Sequence, residues 1–200
     1  MYKRQLENVG VNQEDLSLSK RGQMYCFYYL DNFQSTIIYA NKVLLLNHPN
    51  DKVIEDANLF LANSYKELGL LDSALISYEN VIATAKSEAA AEAKYNISHI
   101  YFLNKEYEHC EKQIMELVQQ KPTYDYWLAK GILLLGDNFT QLKDYFNAKH
   151  SIQSIIDNYD GPQKDEILAE AEQKLEYVKN LEQIELLSLI HISEPTRLWH

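Results

Sequence analysis

Apolar residues recur every three to four positions through most of the chain. Four stretches show this plainly: Phe33, Ile37, Ala40 and Val43-Leu44; Ala74, Tyr78 and Val81; Cys110, Ile114 and Leu117; and Ala148, Ile152 and Ile155. Each is one apolar stripe on a helix, because a half-buried strand would alternate with period two. A second stripe precedes each of them. "LANSYKELGLLDSALISYENVI" places Leu61, Ala62 and Tyr65 before a turn at Gly69, then Ala74 and Tyr78 after it. The same order gives Ile97, Ser98 and Tyr101 before Tyr107, Cys110 and Ile114, and Leu135, Gly136 and Phe139 before Tyr145, Ala148 and Ile152. Upstream, Met24 and Phe27 precede Phe33, Thr36 and Ala40. The pattern predicts helix, turn, helix four times over. Pro49, Pro122 and Pro162 stand at intervals of 73 and 40 residues, which fits helical units of similar length, since proline stops helices.

The units are in register. Thr36, Ala74, Cys110 and Ala148 occupy the same place in successive second helices, at offsets of 38, 36 and 38 residues. A self-similar period of this size marks a repeat architecture. The residues resemble the tetratricopeptide repeat family, whose unit of about 34 residues follows the pattern L-G-x2-Y, A-x3-F, P. The resemblance implies an all-α fold: an α-solenoid of antiparallel helix pairs wound as a right-handed superhelix. Its four hairpins would span about 17–50, 55–88, 91–123 and 125–160, together 17–161. Small residues at position 8 (Ala62, Ser98, Gly136) and position 20 (Thr36, Ala74, Cys110, Ala148) would lie where paired helices approach closely. Phe27, Tyr65, Tyr101 and Phe139 would fill the space between hairpins. The first unit departs most, with Gln23-Met24 for Leu-Gly and Thr36 for Ala; Lys86 stands where proline is common. "GDNF" at 136–139 reads locally as a turn, but register puts it inside a helix. The last unit also resembles the closing repeats of long bacterial envelope-associated proteins of this family. That likeness implies a cell-envelope or periplasmic location.

Beyond "NYDGP", residues 162–186 predict one more amphipathic helix, with Ile167, Ala171, Val178 and Leu181 inward, as a cap or the start of a further repeat. Residues 6–16 read as a truncated preceding helix or a loop. The two ends read differently. "LSLIHISEPTRLWH" begins as a strand-like run and offers His191, Glu194 and His200 as metal ligands. Back-translated, however, Leu187–Arg197 resembles a transposon-end adapter used in sequencing libraries, and Met1–Gln5 resembles the opposite strand of that adapter. On this reading 1–5 and 187–200 are adapter-derived, and the natural segment is a fragment of a longer protein. Discounting Lys3, Arg4, Arg197 and Glu194 leaves 16 basic and 28 acidic residues, a formal charge of −12 against −10 for the whole chain.

That charge argues against nucleic acid as a partner, because phosphate binding needs a basic face. A hydrophobic share of 46% supports a sizeable core. No apolar run reaches the roughly 18–20 residues that span a bilayer, so direct membrane insertion is not expected. Cys26 and Cys110 form no CxxC or metal-ligand spacing and read as two buried, inert thiols. His99 and His109 flank the same hairpin as Cys110, the best nucleophile–base constellation in the chain, but a cysteine at the tight-packing position is buried and unreactive. His48 and His150 are isolated. Glu170 and Glu172 read as solvated on a polar helix face. Gly131 and Gly136 lack any phosphate-loop context, and the glycosylation sequons at Asn96 and Asn138 fall within predicted helices. No catalytic residue, metal site or cofactor is expected.

What remains is a surface. In the resembled family the concave face is lined from first-helix positions 2, 5, 9, 12 and 13. The resemblance places Tyr25, Tyr28, Tyr29, Asn63, Lys66, Tyr95, His99, Phe102, Asp137 and Gln141 there. An aromatic, weakly charged groove suits an extended or helical peptide, because rigid rings supply contact area at low entropic cost. The alternative for each tyrosine is plain packing between neighbours. A clamp for C-terminal carboxylates would need several basic residues; Asn63 and Lys66 fit part of it, Asp56 and Leu59 do not. The expected function is a non-enzymatic protein–protein interaction scaffold with a protein or peptide partner. The alternative is the docking or sensory region of a larger signalling protein or enzyme whose catalytic domain lies outside this stretch.

Overall fold

A computed structural model describes the backbone of residues 13–46 and 51–193. Among these residues there are nine helices and no strand: α1 (Gln13–Tyr29), α2 (Phe33–Leu44), α3 (Asp51–Glu67), α4 (Leu71–Thr84), α5 (Glu88–Leu103), α6 (Tyr107–Val118), α7 (Asp125–Gln141), α8 (Tyr145–Asn158) and α9 (Lys164–Ser193). The all-helical expectation holds. "GDNF" lies inside α7, as register required. Residues 13–16, expected to precede the first unit, already belong to α1. α9 continues past Leu186 to Ser193, so the first part of the segment read as adapter-derived is helical backbone. Residues 1–12, His48 and the stretch from Glu194, including His200, lie outside the described residues.

The chain divides into two compact units between Ala93 and Lys94, inside α5. In the first unit Met24, Ala40, Val43, Val53, Ala57, Phe60 and Leu61 form a core shared by α1, α2 and α3. In the second, Cys110, Ile114, Leu134 and Leu135 pack α6 on α7. Ala129, Leu133, Ala148, Ile152 and Ile155 extend that core to Ile167, Ala171, Leu175 and Val178 of α9. Ile167, Ala171 and Val178 face inward as expected, whereas Leu181 is only partly covered.

The small positions do what close helix approach demands. Thr36, Ala74, Cys110, Ala148, Ala62 and Ser98 are fully buried. At Gly136 an added Cβ would lie 2.5 Å from Ile152 Cγ1 and 3.5 Å from the Ala148 carbonyl oxygen. Positions 8 and 20 thus meet directly across the α7–α8 pair. Cys26 departs from expectation: it is exposed, because α1 turns that face away from the core around Met24.

Each hairpin closes by the same turn. Asp31, Gly69, Lys105 and Lys143 adopt left-handed backbone with φ of 55°, 72°, 63° and 62°. In each turn that residue's N–H bonds the carbonyl three residues back, and the next N–H bonds five back, as in Asp31 to Tyr28 and Asn32 to Phe27. This is the Schellman closure, which satisfies carbonyls otherwise orphaned at a helix end. Only the second turn uses glycine, the residue that adopts this backbone without a steric penalty. The following helix is capped by the side chains of Asn32 and Asp144 in the first and fourth hairpins, and by no side chain at Leu70 and Glu106.

Candidate functional site

In the first unit the predicted residues converge on an aromatic cluster. Tyr28 stacks on Phe60 at a centroid separation of 4.1 Å and an interplanar angle of 7°. Tyr25 meets the same ring edge-on at 5.1 Å. Tyr29 contacts Tyr28 at 5.6 Å and Phe60 at 6.2 Å, yet is 73% exposed. Offset and edge-to-face pairs of this kind add about 0.5–1.5 kcal/mol each beyond area burial. The cluster comes from spacing: residues 25, 28 and 29 share one face of α1, and Phe60 rises to meet them from α3.

Hydrogen bonds fix the cluster from below. Asn63 is buried and fully engaged: its Nδ2 donates to Tyr28 Oη at 3.0 Å and to Glu92 Oε1 at 3.0 Å. Its Oδ1 accepts from Tyr78 Oη at 2.5 Å. The Tyr25 hydroxyl donates to Asp56. Burial pushes the Tyr25 hydroxyl up to about 12, and the bond to Asp56 adds to the shift. Burial also raises Tyr28 and Glu92, the latter against the pull of the Asn63 bond and the Lys66 charge. Lys66 reaches Glu67 at 3.5 Å. The Asn63 amide, expected at the concave face, is thus bonded to Tyr28, Glu92 and Tyr78. Phe60, Tyr78 and Glu92 were not among the expected residues. Glu92 occupies position 2 of its unit and was available to the same rule; Tyr78 read only as part of an apolar stripe, and no pattern singled out Phe60.

The second unit treats its predicted residues differently. Tyr95 stacks on His99 at 6.1 Å and tilts against Trp127 at 5.5 Å. Burial holds the Tyr95 hydroxyl well above its ordinary value. Phe102 packs on Tyr107 at 6.0 Å and on the core around Cys110. Asp137 accepts from Lys174 Nζ of α9 at 2.5 Å, and Lys130 pairs with Glu170 at 2.7 Å. Lys174 lies 3.6 Å from Glu170, which closes a four-membered lattice. Glu170 is thus a bridging carboxylate, where a solvated one was expected; Glu172 is exposed. Burial raises the Asp137 carboxyl in spite of Lys174. Gln141 is exposed at the end of α7.

The nucleophile–base constellation does not assemble as a site. Cys110 is buried, and burial lifts its thiol to about 12, so a thiolate is disfavoured at neutral pH. His109 is exposed, stacks on Tyr101 at 5.3 Å and reaches Glu106 at 3.3 Å. His150 is exposed. Among the described residues no group of three or more His, Cys, Asp or Glu could hold a metal ion. No described helix is long and apolar enough to cross a membrane.

No family model matches this chain, and no curated protein matches it. Among solved structures it is similar to a mutant of MamA, with a TM-score of 0.56 and 13% identity, covering 90% of this chain and 96% of that one. At that identity the likeness is one of fold. Together with the nine helices and their recurring turns, it makes the fold a tetratricopeptide-like helical repeat, an α-solenoid of antiparallel helix pairs.

Proposed function

We propose that this chain is a non-enzymatic protein-interaction scaffold and that the aromatic cluster of the first unit contacts an extended or helical peptide. The observation that carries the reading is Tyr29: a large ring, 73% exposed, held against Tyr28 and Phe60. Tyr28 is in turn pinned by stacking and by Asn63. A ring ordered before binding loses little entropy on contact, which is what makes aromatic residues effective anchors. Tyr95, Phe102 and Asp137 support the fold around that function, since stacking, core packing and Lys174 already occupy them.

The test is selection of peptides from a display library on the whole chain, with affinities remeasured by fluorescence polarisation. Tyr29→Ala is expected to weaken selected peptides by at least about tenfold, the size of a hot-spot contact. Its melting temperature should stay near that of the parent, because the ring is exposed. Equal affinity in parent and variant would refute the placement of the contact.

A further inference from the structure

An open cleft of about 430 Å³ lies between the start of α7 and the end of α8 in the second unit. It contains none of the aromatic-cluster residues. Its floor is apolar, made by Leu128, Ala129, Ile132 and Ile155, with the Tyr159 ring along one wall. The ring is held in place by its hydroxyl, which donates to the Pro162 carbonyl at 2.6 Å. An apolar floor of this size accepts one aliphatic chain.

The rim carries the opposite chemistry. Asp125 and Asp160 both line the opening. Asp125 lies close enough that, after burial, its charge is the next cause raising the Tyr159 hydroxyl. Asp125 stands in the first turn of α7 and offsets the positive end of that helix, while the last turn of α8 contains no basic residue. Lys164 pairs with Asp160 at 2.9 Å. That pair is solvent-exposed, with side-chain exposures of 48% and 86%, and exposed pairs of this kind hold weakly. The lining thus carries two carboxylates and no basic side chain.

We infer that this cleft receives an arginine or lysine side chain of a partner protein, its aliphatic stem on Leu128, Ile132 and Ile155 and its charged head between Asp125 and Asp160. The occupant is fixed by charge complementarity. A neutral chain would satisfy the floor and leave the rim unmatched, and an anionic one would be repelled by it. Long basic side chains combine an apolar stem with a charged tip, which is the pairing the cleft presents. The surface is separate from the proposed peptide site on Tyr29, and either can fail without the other.

The experiment is an amide-shift titration of the isotope-labelled full chain with the capped tripeptide acetyl-Ala-Arg-Ala-amide. Its neutral isostere, with citrulline for arginine, serves as control. The arginine peptide is expected to move the amides of residues 125–132 and 154–161, at least about fivefold more tightly than the citrulline peptide, the range of a partly exposed charge contact. Asp125→Asn with Asp160→Asn should remove that preference. Asp72→Asn, an exposed change on α4, should leave it intact. Asn158→Trp, at the exposed rim, should block both peptides while the chain still melts cooperatively. Equal binding of the arginine and citrulline peptides, shifts confined to other residues, or retention of the preference in the double variant would each overturn the assignment.

Discussion

The two units hold equivalent residues by different means. In the first, position 9 is Asn63, a neutral amide that ties two tyrosines and a carboxylate together. In the second, position 9 of the last hairpin is Asp137, clamped by Lys174 within a lattice of four charges. Both arrangements fasten one helix to a later one. The neutral network does so while leaving Tyr29 open at its edge; the ionic lattice does so with α9 laid against α7 and α8. The same repeat position therefore lies beneath an exposed ring in one place and at a helix seam in the other.

The largest expected effect breaks the neutral network. Asn63→Ala leaves the buried Tyr78 hydroxyl and the half-buried Glu92 without that partner, and should cost about 2–4 kcal/mol by chemical denaturation. It should also weaken peptide capture by releasing Tyr28. Next comes a matched pair of glycines. Gly136→Ala drives a Cβ into Ile152 and should destabilise by about 1–3 kcal/mol. Gly22→Ala, on α1 with no atom within 4 Å of the added Cβ, should stabilise by roughly 0.5–1 kcal/mol. A smaller gain is expected from Lys105→Gly, which relieves left-handed backbone at φ 63° and should add a few tenths to about 1 kcal/mol.

The smallest effect reads the charge difference. Burial raises the Glu92 carboxyl, so its contribution favours folding below the ordinary carboxylate pKa and is lost as pH rises through the folded value. Glu92→Gln, uncharged throughout, should melt above the parent at neutral pH. The gap should close as pH falls below about 4, where the unfolded carboxyl is itself protonated. A gap that persists unchanged at low pH would show that charge is not its source.

Much of the helical repeat was legible because its signals are local. Offsets between Thr36, Ala74, Cys110 and Ala148 located the tight crossings, and a helical stripe marked each second helix. The turns were half hidden. Gly69 announced one, while Asp31, Lys105 and Lys143 take the same backbone against their own preference, held there by the helices on either side. For the candidate site the sequence offered a set of positions and not the bonds each would make. Position rules cannot say that Asn63 would spend every polar atom on Tyr28, Tyr78 and Glu92, or that α9 would supply Lys174 to Asp137. Those outcomes depend on side chains about 15–40 residues away, which no local pattern encodes. Tyr28, Tyr95 and Phe102 illustrate the cost. Each was expected at the concave face, and each is partly built into packing, which leaves Tyr29 as the ring to change.

The central claim is that the first unit presents a prepared aromatic contact while the matching position of the second unit is spent on the fold. The direct measurement is the affinity of one library-selected peptide for the parent, Tyr29→Ala and Asp137→Asn. Tyr29→Ala should lose at least about tenfold while Asp137→Asn stays within about twofold of the parent. Loss in Asp137→Asn with no change in Tyr29→Ala would contradict the account.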